Sequence, residues 1–411
     1  MLKTEFYETA VQKGFYGLDK SGMFGKKDNV RKYWEDILIK ISIRPAIEQI
    51  LEYKDKISIV DLGCGSGEGI ELLTHIPPSN PVKTVDKNFI ISKSNIEIYK
   101  GIDISPAMVE QGKRNYPNLS QIQFMQADLS RGFPLEQDCP YDIYFSSYCS
   151  LSHLKLPELK QLTQQIFSHV SRRGYMVFDL YGRFSLEWPI YWEKNCHAQL
   201  PYNMTYLLPE SGQNPERIEW FDVTYWSGSE LIYIIESAAK ATRRKINIIT
   251  MMDRSIFVGR HMGTCFFKKQ KLPVRLHVNR LFDRDYRGEI GGLNLDIDYL
   301  EEVKDINPQA ATRISDYHSQ WQAVVSILQA LMCSNNSEVK MIIESSPKIL
   351  SDELKMLAWL YRNASRFPVA DFWASIMGPQ VGCVLRNLEL ALPQGLGCGH
   401  SLFCIVEIEN K

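Results

Sequence analysis

The run Ile57-Ser58-Ile59-Val60-Asp61-Leu62-Gly63-Cys64-Gly65-Ser66-Gly67-Glu68-Gly69 constrains the fold more than any other stretch of the chain. Its β-branched apolar start reads as a short buried strand. The glycines at 63, 65, 67 and 69 follow at once. Glycine is needed where the backbone turns sharply or meets a ligand with no Cβ in the way. From Glu68 the residues Gly69-Ile70-Glu71-Leu72-Leu73 resume as a helix. Strand, glycine loop, helix is the ligand-side unit of a doubly wound α/β sheet.

The same alternation recurs downstream. Residues 96–103 form a strand ending in Asp103, and Ser105-Pro106 starts a helix. Strands follow at 121–128, 141–147 and 174–180, with a helix over 156–170. This β-α repeat predicts a mostly parallel, doubly wound sheet. Residues 245–250 and the alternating run 401–408 add a sixth and a seventh strand. Before the sheet, Glu5 to Val11 reads as a helix. Asp28-Asn29 cap a second from about Val30 to Lys40, and Ile43 to Tyr53 continues after a break near Pro45. Residues 79–95 are polar and irregular, an insertion. Helices are expected at about 310–332, 337–343, 351–366 and 370–377. The expected organisation is an N-terminal helical cap (1–56), a core (57–265), a mainly helical insertion (266–390) and the last strand of the core sheet (391–411). Residues 181–226 are rich in aromatic side chains and leave the end of the fifth strand. They read as a lid or wall over a ligand pocket, or as an excursion with a small core of its own.

The dinucleotide fingerprint is Gly-x-Gly-x-x-Gly. Here the glycines run Gly-x-Gly-x-Gly, with Asp61 two residues before the first. Asp-Leu-Gly-Cys-Gly-Ser-Gly resembles the first motif of the class I S-adenosylmethionine (SAM) dependent methyltransferases. Gly-Ile-Asp-Ile-Ser-Pro-Ala-Met, around Asp103, is similar to the second. The resemblance implies that Asp61, Gly63, Cys64, Gly65 and Gly67 form the loop under the amino-acid end of SAM. It places Asp103 on the ribose hydroxyls, a task for a carboxylate because two donors must be accepted at once. Asp103 lies 36 residues past Gly67, where about 20 is usual. Asp86 fits the raw spacing better, and the insertion accounts for the surplus. Ile104 and Met108 would border the adenine, Asp128 would receive its amine, and the backbone of Leu129 would meet a ring nitrogen. Ser146 ends the strand that faces the methyl group. N-terminal helices in the family lie over the pocket, which makes Tyr16, Arg31 and Tyr33 candidates for the SAM carboxylate.

Composition narrows the function. The 411 residues carry a formal net charge of −1, so no global field draws in nucleic acid. The nine cysteines lack Cys-x-x-Cys spacing and read as reduced thiols, mostly buried, of a cytoplasmic protein. No apolar run reaches the length of a membrane span, and the N-terminus has no apolar signal core. The resemblance implies methyl transfer to an O, N or C atom of a small or medium organic acceptor, in a setting such as natural-product biosynthesis. Such chemistry needs positioning, and a base if the acceptor is a hydroxyl. His153, Glu187 and His261 are the candidate bases, with Asp179 a further one. No metal is expected, because the fourth strand ends Ser146-Ser147 without a carboxylate. That strand also lacks the Asn/Asp-Pro-Pro-aromatic motif of amino-methylating nucleic-acid enzymes. The alternatives are a protein or RNA methyltransferase that docks its partner on the helical insertion, and an inactive SAM-binding scaffold. The insertion is also the expected contact of a homodimer.

Overall fold

Strands that are apolar on both faces must be covered by helices on both faces. The computed structural model, which describes residues 6–21, 27–79, 89–194, 197–207, 218–285 and 289–410, meets that demand. Two short helices, α1 (Phe6–Gln12) and α2 (Leu18–Ser21), lead in. A π-helical turn at Arg31–Glu35 runs straight into α3 (Asp36–Leu51). Then come β1 (Ile57–Leu62), α4 (Glu68–Thr74), β2 (Ile96–Asp103), α5 (Pro106–Asn115), β3 (Ile122–Gln126), β4 (Ile143–Phe145), α6 (Leu156–His169) and β5 (Arg173–Tyr181). A small hairpin, β6 (Gln199–Tyr202) and β7 (Phe221–Thr224), precedes α7 (Gly228–Thr242) and β8 (Arg244–Arg254). The insertion carries α8 (Val274–Arg280), α9 (Pro308–Met332), α10 (Asn336–Ser345), α11 (Lys348–Arg362) and α12 (Gly378–Leu390). The chain returns as β9 (Ser401–Asn410).

The sheet has seven strands in the order β3-β2-β1-β4-β5-β9-β8. The first five are parallel, and β9 runs antiparallel between β5 and β8. The chain reverses its winding between β1 and β4, and ligands bind at the carboxyl ends of strands around such a switch. All six residues of β1 are buried. On one face, α6 and α7 supply Leu159, Leu162, Ile166, Leu231 and Ile235 to a core with Phe178 and Leu180. On the other, α3 and α4 share a single continuous core with α9 and α12. That core runs from Trp34 and Ile43 through Val177 to Trp321 and Val381.

Several expectations need correction. Pro45 does not break the helix. It lies inside α3, which continues to Leu51, and its neighbours Ile43, Ala46 and Ile47 are anchored in the core. The sixth strand is longer than 245–250, because β9 pairs with it along its length from Arg244 to Arg254. The last helix does not stop at Met377. A π turn at Trp373–Met377 feeds α12, and Pro379 sits in its first turn, where a missing N–H costs nothing. Cys64, Cys149, Cys398 and Cys404 are buried, whereas Cys139, Cys265 and Cys333 are exposed. Among the described residues no helix is long and apolar enough to cross a membrane.

Candidate active site

The glycine loop is built tightly on three sides and open on the fourth. The N–H groups of Gly63 and Cys64 both donate to the carbonyl of Ile102, at 2.8 and 2.9 Å. Gly67 has φ +92°, and a Cβ there would sit 2.7 Å from the ring of Phe124, so only glycine fits. Gly65 has φ +52°, and a Cβ on it would meet nothing within 4 Å. The open side therefore lies over Gly65. Its N–H donates to Asp103 Oδ2 at 2.9 Å, and Ser105 N–H donates to Oδ1 at the same distance. Asp103 thus ties the end of β2 to the loop. Ser150 Oγ donates to the carbonyl of Gly63 at 2.8 Å, which clips the turn after β4 onto the same loop. Cys64 points its thiol inward, toward the Cα of Gly101.

Asp61 is buried beneath the loop. Tyr99 donates to its Oδ2, while Oδ1 has no hydrogen-bond partner among the described residues. Burial pushes the Asp61 carboxyl up to about 7, against the hydrogen bond from Tyr99, and the charges of Asp103 and Glu68 add to the rise. An acid raised in the folded state keeps a proton that the unfolded chain has released. Its stabilisation is present below about pH 4 and is lost as pH rises through about 7. Asp61→Asn is expected to remove that loss. Melting curves should then show a smaller fall in stability between about pH 5 and about pH 8, a difference of about 2–3 kcal/mol. An unchanged pH slope would place the titration elsewhere, on Glu389 first, which burial also raises to about 7.

The N-terminal candidates separate. Arg31 lies over the ring of Tyr148, 3.8 Å from its centroid, and pairs with Glu68 in the first turn of α4. Tyr16 offers its carbonyl to Ser66 Oγ at 3.0 Å and to Asn115 Nδ2 at 3.1 Å, beside the loop. Tyr33 does not join them. It is half-exposed, its ring packs on Phe282 of the insertion with centroids 5.0 Å apart, and Arg386 binds its carbonyl. A π turn adds a residue to each helical repeat, and in this one Arg31 reaches the loop while Tyr33 is turned outward.

On the far side of Asp103, Ile104 is exposed, an apolar face beside the carboxylate. Met108 and Leu129 are buried instead, and Leu129 packs into the core under α6. Asp128 accepts the N–H and hydroxyl of Ser130 through Oδ1, at 3.0 and 2.7 Å, and so caps its own turn. Asp86 lies outside the described residues.

Two of the three candidate bases are struts. His261 is fully buried with both ring nitrogens engaged: Nδ1 with Thr264 Oγ1 at 3.2 Å and Nε2 with the carbonyl of Asn203 at 3.0 Å. Burial lowers it to about 3, against the charge of Glu187, so it stays neutral with no lone pair to spare. Glu187 is also fully buried. One oxygen accepts the N–H of His261 and the other faces His400 Nδ1 at 2.6 Å. Both carboxylate oxygens are therefore spent on the loop 259–262 and on His400. His153 stands at the carboxyl edge, stacked on Phe221, with its Nε2 3.4 Å from Tyr7 Oη. Burial lowers it to about 4, so it too is neutral at physiological pH. Sequence reading gave no role to His400. It holds the start of β9 at the same edge, oriented by Glu187 and edge-on to Tyr181 at 5.4 Å between centroids. Its Nε2 makes no hydrogen bond among the described residues.

Of a second group the sequence singled out only Asp179, as a candidate base. Arg254 and Asp179, on β8 and β5, form a fully buried ion pair at 2.6 Å, and Arg254 Nε donates to Ser401 Oγ at 3.0 Å. Asp179 also accepts the N–H of Tyr148 at 2.6 Å. Tyr148 and Cys149 both have positive φ, 53° and 63°, a strained pair that the Asp179 contact helps hold. Arg260 reaches Glu35 at 3.3 Å and Tyr206 Oη at 3.1 Å. Nothing in the sequence pattern marks this convergence, because its members come from six separate segments.

Residues 59–174 match a family model described as a methyltransferase domain. No curated protein matches the chain. Among solved structures, a SAM-dependent methyltransferase from Clostridium acetobutylicum is 14% identical, covering 60% of this chain and 91% of its own, with a TM-score of 0.35. One from Mesorhizobium loti is 16% identical, covering 52% and 85%, with a TM-score of 0.32. A SAM-bound amino pentose methyltransferase from Micromonospora echinaspora is 14% identical, covering 60% and 92%, with a TM-score of 0.32.

Proposed function

We propose that this chain is a class I SAM-dependent methyltransferase, a reading supported by the match of residues 59–174 to a methyltransferase domain, and that it methylates an O, N or C atom of a small or medium organic acceptor, as in natural-product biosynthesis. SAM supplies an electrophilic methyl group on a sulfonium. The residues present fit it: the loop is open over Gly65, and Asp103 sits at that opening with lone pairs to spare. In this reading Asp103 takes the ribose hydroxyls, Ile104 lies against the adenine, Asp128 receives its amine, and Arg31 with Tyr16 faces the carboxylate. His153 and the His400–Glu187 pair are the groups placed to take a proton from the acceptor.

One observation carries the acceptor class. The carboxyl ends of β4, β5 and β8 close around a deep aromatic and charged shell, not a broad basic surface. Tyr181, Tyr202 and Phe267 stand on one side and Arg254 and Arg260 on the other. A shell of that kind encloses a compact molecule. The test is transfer from labelled SAM into separate small-molecule and macromolecule fractions of a cell extract, with mass analysis of the product. Label confined to protein or RNA would overturn the reading.

The cofactor contacts have their own test. Asp103→Ala is expected to weaken SAM binding by roughly 1–3 kcal/mol, since buried hydroxyls lose a charged acceptor. Unchanged affinity by calorimetry would remove Asp103 from the ribose.

A further inference from the structure

The ring of Tyr148 sits among polar atoms that have nothing to bond. Arg31 Nε, Ser146 Oγ, Asp179 Oδ1, Arg254 Nη1 and Arg260 Nε are all buried and lack a hydrogen-bond partner among the described residues. The guanidiniums of Arg31, Arg254 and Arg260 stand 3.8, 5.3 and 5.5 Å from the centroid of that one ring. Asp179 holds the backbone of the same residue through its other oxygen. Folded chains satisfy nearly all such groups, because a dry, unpaired polar atom is costly. Five in one shell, at the carboxyl ends of the strands, mark the place of a ligand.

The chemistry of that ligand follows from what is unpaired and from the charges around it. Arg254 Nη1 and Arg260 Nε are donors, and they ask for an oxygen acceptor such as a carboxylate. Asp179 Oδ1, next to Arg254, is an acceptor, and it asks for a donor. A simple carboxylate would satisfy the arginines and be repelled by Asp179. The shell holds three guanidiniums against the carboxylates of Glu35, Asp36, Glu68 and Asp179. One negative charge is left over, and the net positive charge of bound SAM offsets it. The Arg275–Asp28 pair beside Glu35 adds no net charge. The unpaired donors and acceptor together call for a head group of zero net charge that carries both signs.

We propose that Arg254, Arg260 and Asp179 form the acceptor subsite for the zwitterionic head group of a free amino acid, its carboxylate on the two arginines and its ammonium on Asp179 Oδ1. This rests on the methyltransferase reading and names the acceptor class within it. Tyr181 follows Asp179 by two residues on β5 and opens into the aromatic cluster, so the side chain of the amino acid points toward an apolar wall.

The test uses the full chain saturated with sinefungin, an unreactive SAM analogue whose amine keeps the net positive charge of SAM, with S-adenosylhomocysteine titrated separately as the check on the cofactor site. Calorimetry is run with the twenty free L-amino acids, and then with tyrosine against tyramine and 3-(4-hydroxyphenyl)propanoate. Each of these analogues lacks one half of the head group. At least one amino acid should bind, and loss of either half should weaken tyrosine roughly tenfold or more. Arg260→Lys keeps the charge but loses the fork. It should weaken the amino acid by a similar factor while S-adenosylhomocysteine binds as before, a split that a merely structural arginine would not give. Binding of S-adenosylhomocysteine with no amino acid bound overturns the proposal alone. So does equal or tighter binding of either half-molecule. Failure to bind S-adenosylhomocysteine overturns the methyltransferase reading with it.

Discussion

Arg254→Met is expected to destabilise the protein by about 3–5 kcal/mol, the cost of leaving a buried carboxylate without its counter-ion. Arg254 and Asp179 are both almost wholly excluded from solvent, and their contact at 2.6 Å joins β8 to β5 across β9. The variant leaves Asp179 with only the N–H of Tyr148. A double variant, Arg254→Met with Asp179→Leu, removes both charges and should recover much of the loss, since apolar replacement of a buried pair is often close to neutral. Melting curves of the two variants decide it. A double variant no more stable than the single one would mean that packing or the Ser401 contact, not the unpaired charge, sets the cost.

Trp188→Ala is the second large effect, about 3–5 kcal/mol for a buried tryptophan. The sequence reading offered two roles for the 181–226 segment, a ligand wall and a packed excursion. Trp188 is fully buried, its rings meet Tyr225 at 4.8 Å and Tyr181 at 5.9 Å, and its Nε1–H donates to the carbonyl of Gly182 at 2.8 Å. Trp192 is likewise buried, with Nε1–H on the carbonyl of Ser185 at 3.1 Å. These two side chains are core, not wall. Trp188→Ala should lower the melting temperature and reduce SAM binding in step. An unchanged melting temperature with a selective loss of turnover would restore the wall role to Trp188.

The parallel half of the sheet was legible because each of its strands carries its own signal. Ile57 to Val60, Ile96 to Asp103 and Gly174 to Leu180 are short apolar runs bounded by glycine, an acid or a proline, and local pattern suffices. The glycine loop and Asp103 were legible for the same reason. What was missed lies where distant segments meet. Pro45 carries a breaker's signature, and only the core around Ile43 and Ile47 shows why the helix survives it. The extension of β8 to Arg254 is imposed by β9, not by its own residues. Glu187 and His261 look like free chemistry in sequence, but the fold spends both on each other and on His400. Arg254 and Arg260 are lone charges in sequence, and they acquire meaning only beside Tyr148.

The position of β9 bears on how the protein is made. It is inserted between β5 and β8, yet residues 255–400 separate it from β8 in the chain. On the ribosome, β1 to β5 and the glycine loop emerge early and can pair among themselves, whereas the slot beside β5 stays empty. Such distant pairing is slow, and the two open strand edges are exposed while it waits. The helices α8 to α12 lie between β8 and β9 in the chain and share a core with α3. Only when β9 is in place does Ser401 reach Arg254 and His400 reach Glu187. A nascent chain halted within the insertion would hold the glycine loop and Asp103 without the contacts that β9 brings to Arg254 and Glu187.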